Sequence, residues 1–465
     1  MKKMKETNRF LNKQVLVIGL AMSGFHAALL LNKLGAHVTV NDAKDLQEDD
    51  NARQLKAVGI KVIGGEHPLN LVNDSLDYVV KNPGIPYSQE QIQQALEINI
   101  PILTEVEIAY SVMESNLIAL TGTNGKTTTT SMLVDILNMN RSVGKAYAAG
   151  NIGIPASQVA QESTSQDDVV MELSSFQLMG IKDYRPHIAV ITNIYSAHLD
   201  YHGSQKEYEK AKFRIMMNQT NEDYLVYNHD QKVLRGGAKE SKAQLVPFSR
   251  ETVLLEGAFV RDNWIWFKEE KIFPLEELLV KGTHNVENAL AAVATAKLAG
   301  QSNENIQKSL KKFTGVAHRL QYVDQLNSRK FYNDSKATNT LATIQALSSF
   351  EQKVVLIAGG LDRHVTFEEL IPSFSEKVRA LIVFGESKEQ IAEVGKAAGV
   401  SIIKHVESME EAVNQAYQMS RPEETILLSP ACASWDEYAN FEERGNAFIV
   451  AVEKLMDLSG EETAN

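Results

Sequence analysis

A short apolar run, Asn116 to Thr121, passes directly into Gly122-Thr123-Asn124-Gly125-Lys126-Thr127 and then into a helix-forming stretch from Lys126 to Leu137. Strand, glycine-rich turn and helix start, in that order, commit this part of the chain to a parallel α/β sheet with a helix N-terminus facing the strand's carboxyl end. Gly122 and Gly125 let the backbone turn its amides toward a phosphate. Lys126 offers a point charge to the outer phosphates, the Thr127 hydroxyl suits Mg²⁺, and Thr128 follows in the same first turn. A strict loop of this kind has glycine where this chain has Leu120, so the turn is shorter than in motors and GTPases. The expected ligand is ATP.

At about 150 residues per domain, 465 residues give three domains. The pattern of β-branched runs alternating with amphipathic stretches restarts twice, which sets expected boundaries: 1–104, 105–315 and 316–465. The first unit reads as Rossmann-like, with strands at Gln14 to Leu20, His37 to Asp42 and Asp77 to Lys81. The second holds the ATP loop, strands near Val169 to Leu173, Ile188 to Asn193 and Tyr224 to Asn228, and a helix near Lys206 to Met217. Within it, Ala243 to Pro274, with Trp264-Ile265-Trp266-Phe267 between polar turns, predicts a small added antiparallel sheet. The third unit is Rossmann-like again, with strands at Phe331 to Asn333, Val354 to Ala358, Ala380 to Phe384 and Thr425 to Ser429. The fold class is α/β.

Charge and composition remove several functions. Lys and Arg total 47 against 59 Asp and Glu, a net −12 that is the wrong sign for living on nucleic-acid backbones. The longest apolar runs are strand-length, well short of the ~20 residues that cross a bilayer, so no membrane span is expected. The basic stretch up to Asn12 leads into a strand and not into an export signal. A single cysteine, Cys432, fits a reducing compartment, and the expected location is cytoplasmic.

Other constellations carry chemistry less specifically. Gly19-Leu20-Ala21-Met22-Ser23-Gly24 lies between a strand and a helix, with Asp42 closing the next strand, as in dinucleotide-binding folds. Ala21 crowds the position where a pyrophosphate approaches, which favours a single nucleotide diphosphate over NAD. Glu172 closes an apolar strand, where a carboxylate suits Mg²⁺, and His198 follows in a loop. By spacing alone Lys212 reads as a solvated helix lysine. Asp334-Ser335-Lys336-Ala337-Thr338-Asn339 crowds an acid, a cation and hydrogen-bonding groups before a helix; capping would leave Lys336 idle.

Together with His284-Asn285, His318-Arg319 and Ser429-Pro430-Ala431-Cys432-Ala433-Ser434, these segments resemble the Mur ligases of cell-wall synthesis across essentially the whole chain. Asp334 to Asn339 and Ser429 to Gly445 are most similar to the family's D-glutamate-adding branch, and the Asp-Asn-Pro-Arg signature of the diaminopimelate- or lysine-adding branch is missing. The resemblance implies an ATP-dependent ligase, acting as a monomer, that joins D-glutamate to UDP-N-acetylmuramoyl-L-alanine through an acyl phosphate. It implies Lys126, His198, Lys212 and Lys336 as catalytic. It implies Thr127, Glu172, His198 and Lys212 around Mg²⁺, with Lys212 carbamylated by CO₂. Asn285, Asn288, Arg319 and Asp334 join the ATP loop; Gly19, Ser23, Gly24, Asp42, Asn82, Gly84, Asn151 and Ser174 take the UDP-linked substrate; Thr338, Arg363, Ser434 and Phe441 take D-glutamate. Two positions depart from the family pattern. Ala197 precedes His198 where some members have an acid, and Leu361-Asp362-Arg363 stands where some have Asp-Gly-Lys, although arginine remains a good carboxylate fork.

Other readings stay open. Folylpolyglutamate synthetases resemble the second and third units but lack the first. A nicotinamide-dependent dehydrogenase explains Gly19 to Asp42 and has no use for Gly122 to Thr127. A nucleic-acid motor explains Lys126 only.

Overall fold

The structure, a computed structural model, describes residues 5–280, 282–363 and 366–462. The chain divides into two compact units, Met1–Lys312 and Phe313–Asn465. Among the described residues no helix is long and apolar enough to cross a membrane.

The first unit opens with β1 (Gln14–Ile18), β2 (His37–Asp42), β3 (Lys61–Gly64), β4 (Tyr78–Lys81) and β5 (Ile102–Leu103). They pair in parallel in the order β3-β2-β1-β4-β5. Val15 and Val17 of β1 enter one core and Leu16 and Ile18 the other, as a parallel sheet covered on both faces requires. The strand order reverses between β1 and β4, which places a ligand crevice beyond their carboxyl ends. The strand expected to reach Leu20 stops at Ile18 because Gly19 turns to φ 93°. Gly24 lets the helix Met22–Lys33 come close: a Cβ there would sit 1.9 Å from the Gly19 carbonyl oxygen.

The same unit continues with β6 (Asn116–Thr121), β7 (Ala146–Gly150), β8 (Asp168–Glu172), β9 (Ile188–Ile191), β10 (Tyr224–Asn228), β11 (Gln244–Ser249), β12 (Ala258–Arg261), β13 (Trp264–Phe267) and β14 (Glu270–Pro274). Their order is β14-β13-β12-β11-β10-β9-β6-β8-β7. The small sheet expected from Ala243 to Pro274 is therefore not separate. β11 pairs in parallel with β10, and β12, β13 and β14 extend the same sheet, antiparallel to one another. Gly257 permits this return, with φ 107° and a backbone so close to Pro247 that a Cβ would lie 1.8 Å from its carbonyl oxygen. Ile265 and Phe267 point inward, while Trp264 and Trp266 face outward under Lys271 and Arg261.

One continuous apolar core runs from Phe10 and Leu31 through Val106 and Ala109 to Leu117, Met171 and Ile215, joining the first sheet to the central one. Polar ties accompany it. Arg9 donates to Glu107 Oε1 at 2.7 Å, and the same buried carboxylate accepts the backbone N–H groups of Lys182, Asp183 and Tyr184.

The second unit contains β15 (Gln321–Leu326), β16 (Arg329–Asn333), β17 (Val354–Gly359), β18 (Val378–Phe384), β19 (Ile402–His405) and β20 (Thr425–Leu428), ordered β15-β16-β20-β17-β18-β19. Only the β15–β16 hairpin is antiparallel, and Asn327 and Ser328 at its tip both have positive φ, as a tight two-residue turn needs. Because β20 lies between β16 and β17, the loops after Asn333, Leu428 and Gly359 leave the sheet side by side.

Candidate active site

β6 delivers the glycine-rich loop between the carboxyl ends of β8 and β9. Gly125 takes φ 78° at the start of the helix Lys126–Asn138; a Cβ there would lie 2.1 Å from Asn288 Oδ1, and one on Gly122 would lie 1.9 Å from Thr192 Oγ1. Both glycines are fixed by this close approach. The loop is clamped from β9: the Asn193 carbonyl accepts from Thr123 N–H, Asn193 Oδ1 accepts from Asn124 N–H, and Asn193 Nδ2 and Thr192 Oγ1 both donate to the Asn124 carbonyl. Thr192 and Asn193 were not among the expected site residues; their signal was a polar pair at a strand's carboxyl end. Lys126 Nζ folds over the loop onto the carbonyls of Gly122 and Thr123, 2.9 Å from each. Thr127 and Thr128 follow, half-buried.

Beside the loop, Glu172 ends β8 opposite Leu120 and is 1% exposed. Asn151 N–H donates to its carbonyl at 2.8 Å and Asn151 Nδ2 to its Oε1 at 3.0 Å, while Oε2 is buried with no hydrogen-bond partner. Lys212 is buried, not solvated: its Nζ donates to the Gly122 carbonyl at 2.7 Å and stands 4.8 Å from the centre of the Tyr208 ring. Burial, reinforced by the Lys126 charge and opposed by Glu172, pulls the Lys212 pKa well below the usual lysine range. Tyr208 also meets Thr123 Oγ1 at 3.0 Å, so the loop and the lysine share one brace. His198 precedes the short helix Leu199–His202 in a left-handed conformation, exposed and edge-on to Phe176.

Among the described residues no three His, Cys, Asp or Glu side chains converge on one point. Glu172 Oε2 nevertheless fits a divalent cation, because a buried carboxylate oxygen without a partner is costly unless a cation or donor completes it. Mg²⁺ is commonly held by one or two carboxylates, substrate phosphates and water, so a closed protein cage is not required.

The expected adenine-side pair lies behind the loop: Asn288 is buried, accepts from Thr129 Oγ1 and donates to Asn285 Oδ1. In the first sheet, Gly19, Ser23, Gly24, Asp42, Asn82 and Gly84 line the carboxyl ends of β1, β2 and β4. Both Asp42 oxygens already hold backbone amides, of Leu20 and Lys44. Ser174 forms a capping box with Gln177 at the helix Ser175–Leu178.

In the second unit, Asp334 follows β16 and is held by Leu320 N–H on one oxygen and Ser429 Oγ on the other. Burial outweighs these bonds and pushes its carboxyl up to about 7. His318 is buried against Asn333, Arg319 is exposed, and Lys336 Nζ stands 5.6 Å from the Phe441 ring. Thr338, Arg363, Ser434 and Phe441 all line one cavity of about 360 Å³, completed by Ala433, Trp435, Asn440 and Glu442. The guanidinium of Arg363 lies 4.9 Å from the Trp435 ring. Behind the cavity, Arg444 is fully buried and, among the described residues, bonds only to uncharged oxygens: Ser335 Oγ and the carbonyls of Ser335, Gly359, Cys432 and Ala433. It ties together the loops that carry Lys336 and Ser434, and burial lowers its pKa to about 10. The sequence reading passed over it inside the run Phe441-Glu442-Glu443-Arg444-Gly445.

Comparison with known proteins places these features in a common frame. Residues 13–104 match the Mur ligase MurD-like N-terminal domain, 120–296 the Mur ligase middle domain and 318–432 the Mur ligase glutamate ligase domain. The UDP-N-acetylmuramoylalanine–D-glutamate ligase of Ligilactobacillus salivarius is 53% identical over 454 residues, 98% of this chain and 99% of that protein. Its counterpart from Enterococcus hirae is 54% identical over 452 residues, 97% of this chain and 98% of that protein. Among solved structures, the UDP-N-acetylmuramate-alanine ligase MurC of Thermotoga maritima aligns with a TM-score of 0.53 at 20% identity, covering 97% of this chain and 99% of its own. MurF of Acinetobacter baumannii gives 0.54 at 19% identity, covering 89% of each chain. At such identities the structural likeness speaks to fold alone.

Proposed function

The chain belongs to the Mur ligase family, and we propose that it is the member that joins D-glutamate to UDP-N-acetylmuramoyl-L-alanine at the expense of ATP, in peptidoglycan precursor synthesis. The observation that carries this reading is identity above one half, over nearly the full length, to ligases named for that reaction. The cavity holding Thr338, Arg363, Ser434 and Phe441 supports it, since one cation, two hydroxyls and an aromatic wall suit a small dicarboxylate. We assign the UDP-linked substrate to residues 1–104, ATP to 105–315 and D-glutamate to 316–465, in a cytoplasmic monomer.

An amide forms from a carboxylate only after an oxygen is made a leaving group. An oxygen of the alanyl carboxylate attacks the γ-phosphorus, the bond to ADP breaks, and an acyl phosphate results. The D-glutamate nitrogen then attacks the acyl carbon, loses a proton, and phosphate departs. Lys126 neutralises charge spreading over the transferred phosphoryl group, and the amides of Gly125 to Thr128, at the helix start, orient the phosphates; those of Thr123 and Asn124 are held by Asn193. Glu172, Thr127, His198 and a carbamate on Lys212 would hold Mg²⁺, which when bound supplies charge neutralisation at the outer phosphates. A neutral Lys212 amine is the form that adds to CO₂, and its burial favours that form. Asn151 orients Glu172, and Asp334, Lys336, His318 and Arg319 supply the polar groups of the second unit.

Phosphate release from ATP, measured across UDP-muramoyl acceptors and amino acids, tests the reading. Turnover only with the L-alanyl acceptor and D-glutamate is expected; preference for another acceptor or for L-glutamate would overturn it.

A further inference from the structure

Lys81 has no part in the reaction as described. It ends β4, is 1% exposed and, among the described residues, bonds to no carboxylate. Its ammonium donates to the carbonyls of Asn82 at 3.2 Å and Pro83 at 3.1 Å, and stands 5.1 Å from the Tyr87 ring and 5.9 Å from the Tyr201 ring. Tyr201 arrives from the central sheet, on the helix Leu199–His202 that begins after His198. Its hydroxyl donates to the Ile85 carbonyl at 3.0 Å and to the Pro83 carbonyl at 3.4 Å. The Pro83 carbonyl is thus shared by a lysine below the loop and a tyrosine from the other sheet. On its other side the loop touches the first glycine turn, where a Cβ on Gly19 would lie 2.9 Å from both Asn82 Cβ and Ile85 Cδ1. The Tyr201 ring packs edge-on against Phe176 at 4.4 Å, and Phe176 also meets the His198 ring.

An apolar side chain would fill the end of β4 without desolvating a charge. The ammonium is retained where carbonyl dipoles and aromatic faces receive it, and those carbonyls belong to the Asn82–Ile85 loop alone. We propose that Lys81 and Tyr201 are positioning residues that hold this loop in shape for the uridine-diphosphate-linked substrate and set its register against the His198 segment. The inference rests on the assignment of Asn82 and Gly84 to that substrate. It goes beyond it by naming two residues that touch no substrate and act through the carbonyls of one loop, that of Pro83 being shared between them.

The test is steady-state kinetics of Tyr201→Phe, which deletes only the hydroxyl, of Lys81→Met, and of the double variant, each with all three substrates varied. Each single change is expected to raise the KM of the UDP-linked acceptor roughly tenfold and to leave those of ATP and D-glutamate within about twofold. The double variant is expected to be little worse than the poorer single, because both hold the same Asn82–Ile85 loop. Equal rises in all three KM values, a lowered melting temperature with unchanged KM values, or simple additivity would overturn the proposal. If Lys81→Met does not fold, Tyr201→Phe carries the test alone. Wild-type enzyme indifferent to the UDP-linked acceptor would instead defeat the underlying assignment, a result read without any variant.

Discussion

The side-chain amide of Asn151 donates to Glu172 Oε1 at 3.0 Å and leaves Oε2 buried with no hydrogen-bond partner. One carboxylate oxygen is fixed, and the other is the one proposed to meet Mg²⁺. Asn151→Ala frees the carboxylate to rotate and is expected to raise the Mg²⁺ concentration for half-maximal phosphate release about tenfold or more, the usual cost of losing a group that orients a metal ligand. An unchanged Mg²⁺ requirement with a higher KM for the acceptor would assign Asn151 to the substrate alone.

Lys126 now closes its own loop, with Nζ on the Gly122 and Thr123 carbonyls. On the proposed reading those bonds are exchanged for phosphate oxygens when ATP binds. Lys126→Ala removes a cation from the transition state and should cost ~3 kcal/mol, roughly a hundredfold in turnover, with the melting temperature little altered. A variant retaining over half the wild-type rate would end the phosphate-loop assignment.

On the proposed reading, Arg363 and Arg444 separate direct from indirect recognition of D-glutamate. Arg363 lines the cavity, so Arg363→Ala should raise the D-glutamate KM at least tenfold and leave the ATP KM nearly unchanged. Arg444→Lys keeps the charge but cannot span its scattered carbonyls, and should raise the D-glutamate KM while also lowering the melting temperature. Inhibition or kinetic assays with D-glutamate and thermal scans check both; an unaffected D-glutamate KM in Arg363→Ala would place the carboxylate elsewhere.

What the sequence made legible was local. Gly122 and Gly125 announce their loop because the strand before and the helix after stand next to them in the chain. Thr338, Arg363, Ser434 and Phe441 came from family likeness, and the cavity they share depends on β20 lying between β16 and β17. Arg444 and Lys81 were missed because their partners are mostly backbone carbonyls, which no side-chain pattern reveals; Arg444 reaches Ser335, 109 residues away. Lys212 was misjudged by spacing because the helix Gln205–Phe213 is charged all round. Its buried face is Tyr208, Ala211 and Lys212, so one of the three buried residues is itself charged. Ala243 to Pro274 looked like its own sheet because hairpin signals mark turns, whereas the parallel pairing of β11 with β10 is a long-range choice.

Asp334 gives the second unit a pH signature. Its carboxyl sits at about 7 in the fold against 3.8 when unperturbed, so the folded state binds the proton more tightly. Its stabilising share is complete below the unfolded pKa and is lost as pH rises through about 7. Urea unfolding should show wild type losing stability between pH 5 and pH 8 relative to Asp334→Asn, by no more than about 3 kcal/mol. Parallel pH profiles for the two proteins would show that the group is not buried as a neutral acid.

Lys212 carries the most exacting prediction. Its amine is buried between the Gly122 carbonyl and the Tyr208 ring, next to a carboxylate with one unmatched oxygen and within reach of the Lys126 charge. A protonated amine there would repel both Lys126 and an incoming Mg²⁺. The neutral amine can instead attack CO₂: the nitrogen–carbon bond forms, the nitrogen gives up a proton, and an anionic oxygen pair replaces a cation. Lys212→Ala should therefore lose at least a hundredfold in rate and recover part of it with formate or acetate, which refill the vacated space with a carboxylate. Lys212→Arg should stay inactive under the same additions, since its guanidinium keeps the charge and takes no CO₂. Mass spectrometry of rapidly trapped protein should show the added carboxyl on Lys212 in active preparations. Full activity in Lys212→Ala, or an unmodified amine in a fully active enzyme, would sink the carbamate and leave Lys212 as a brace for the Gly122 turn.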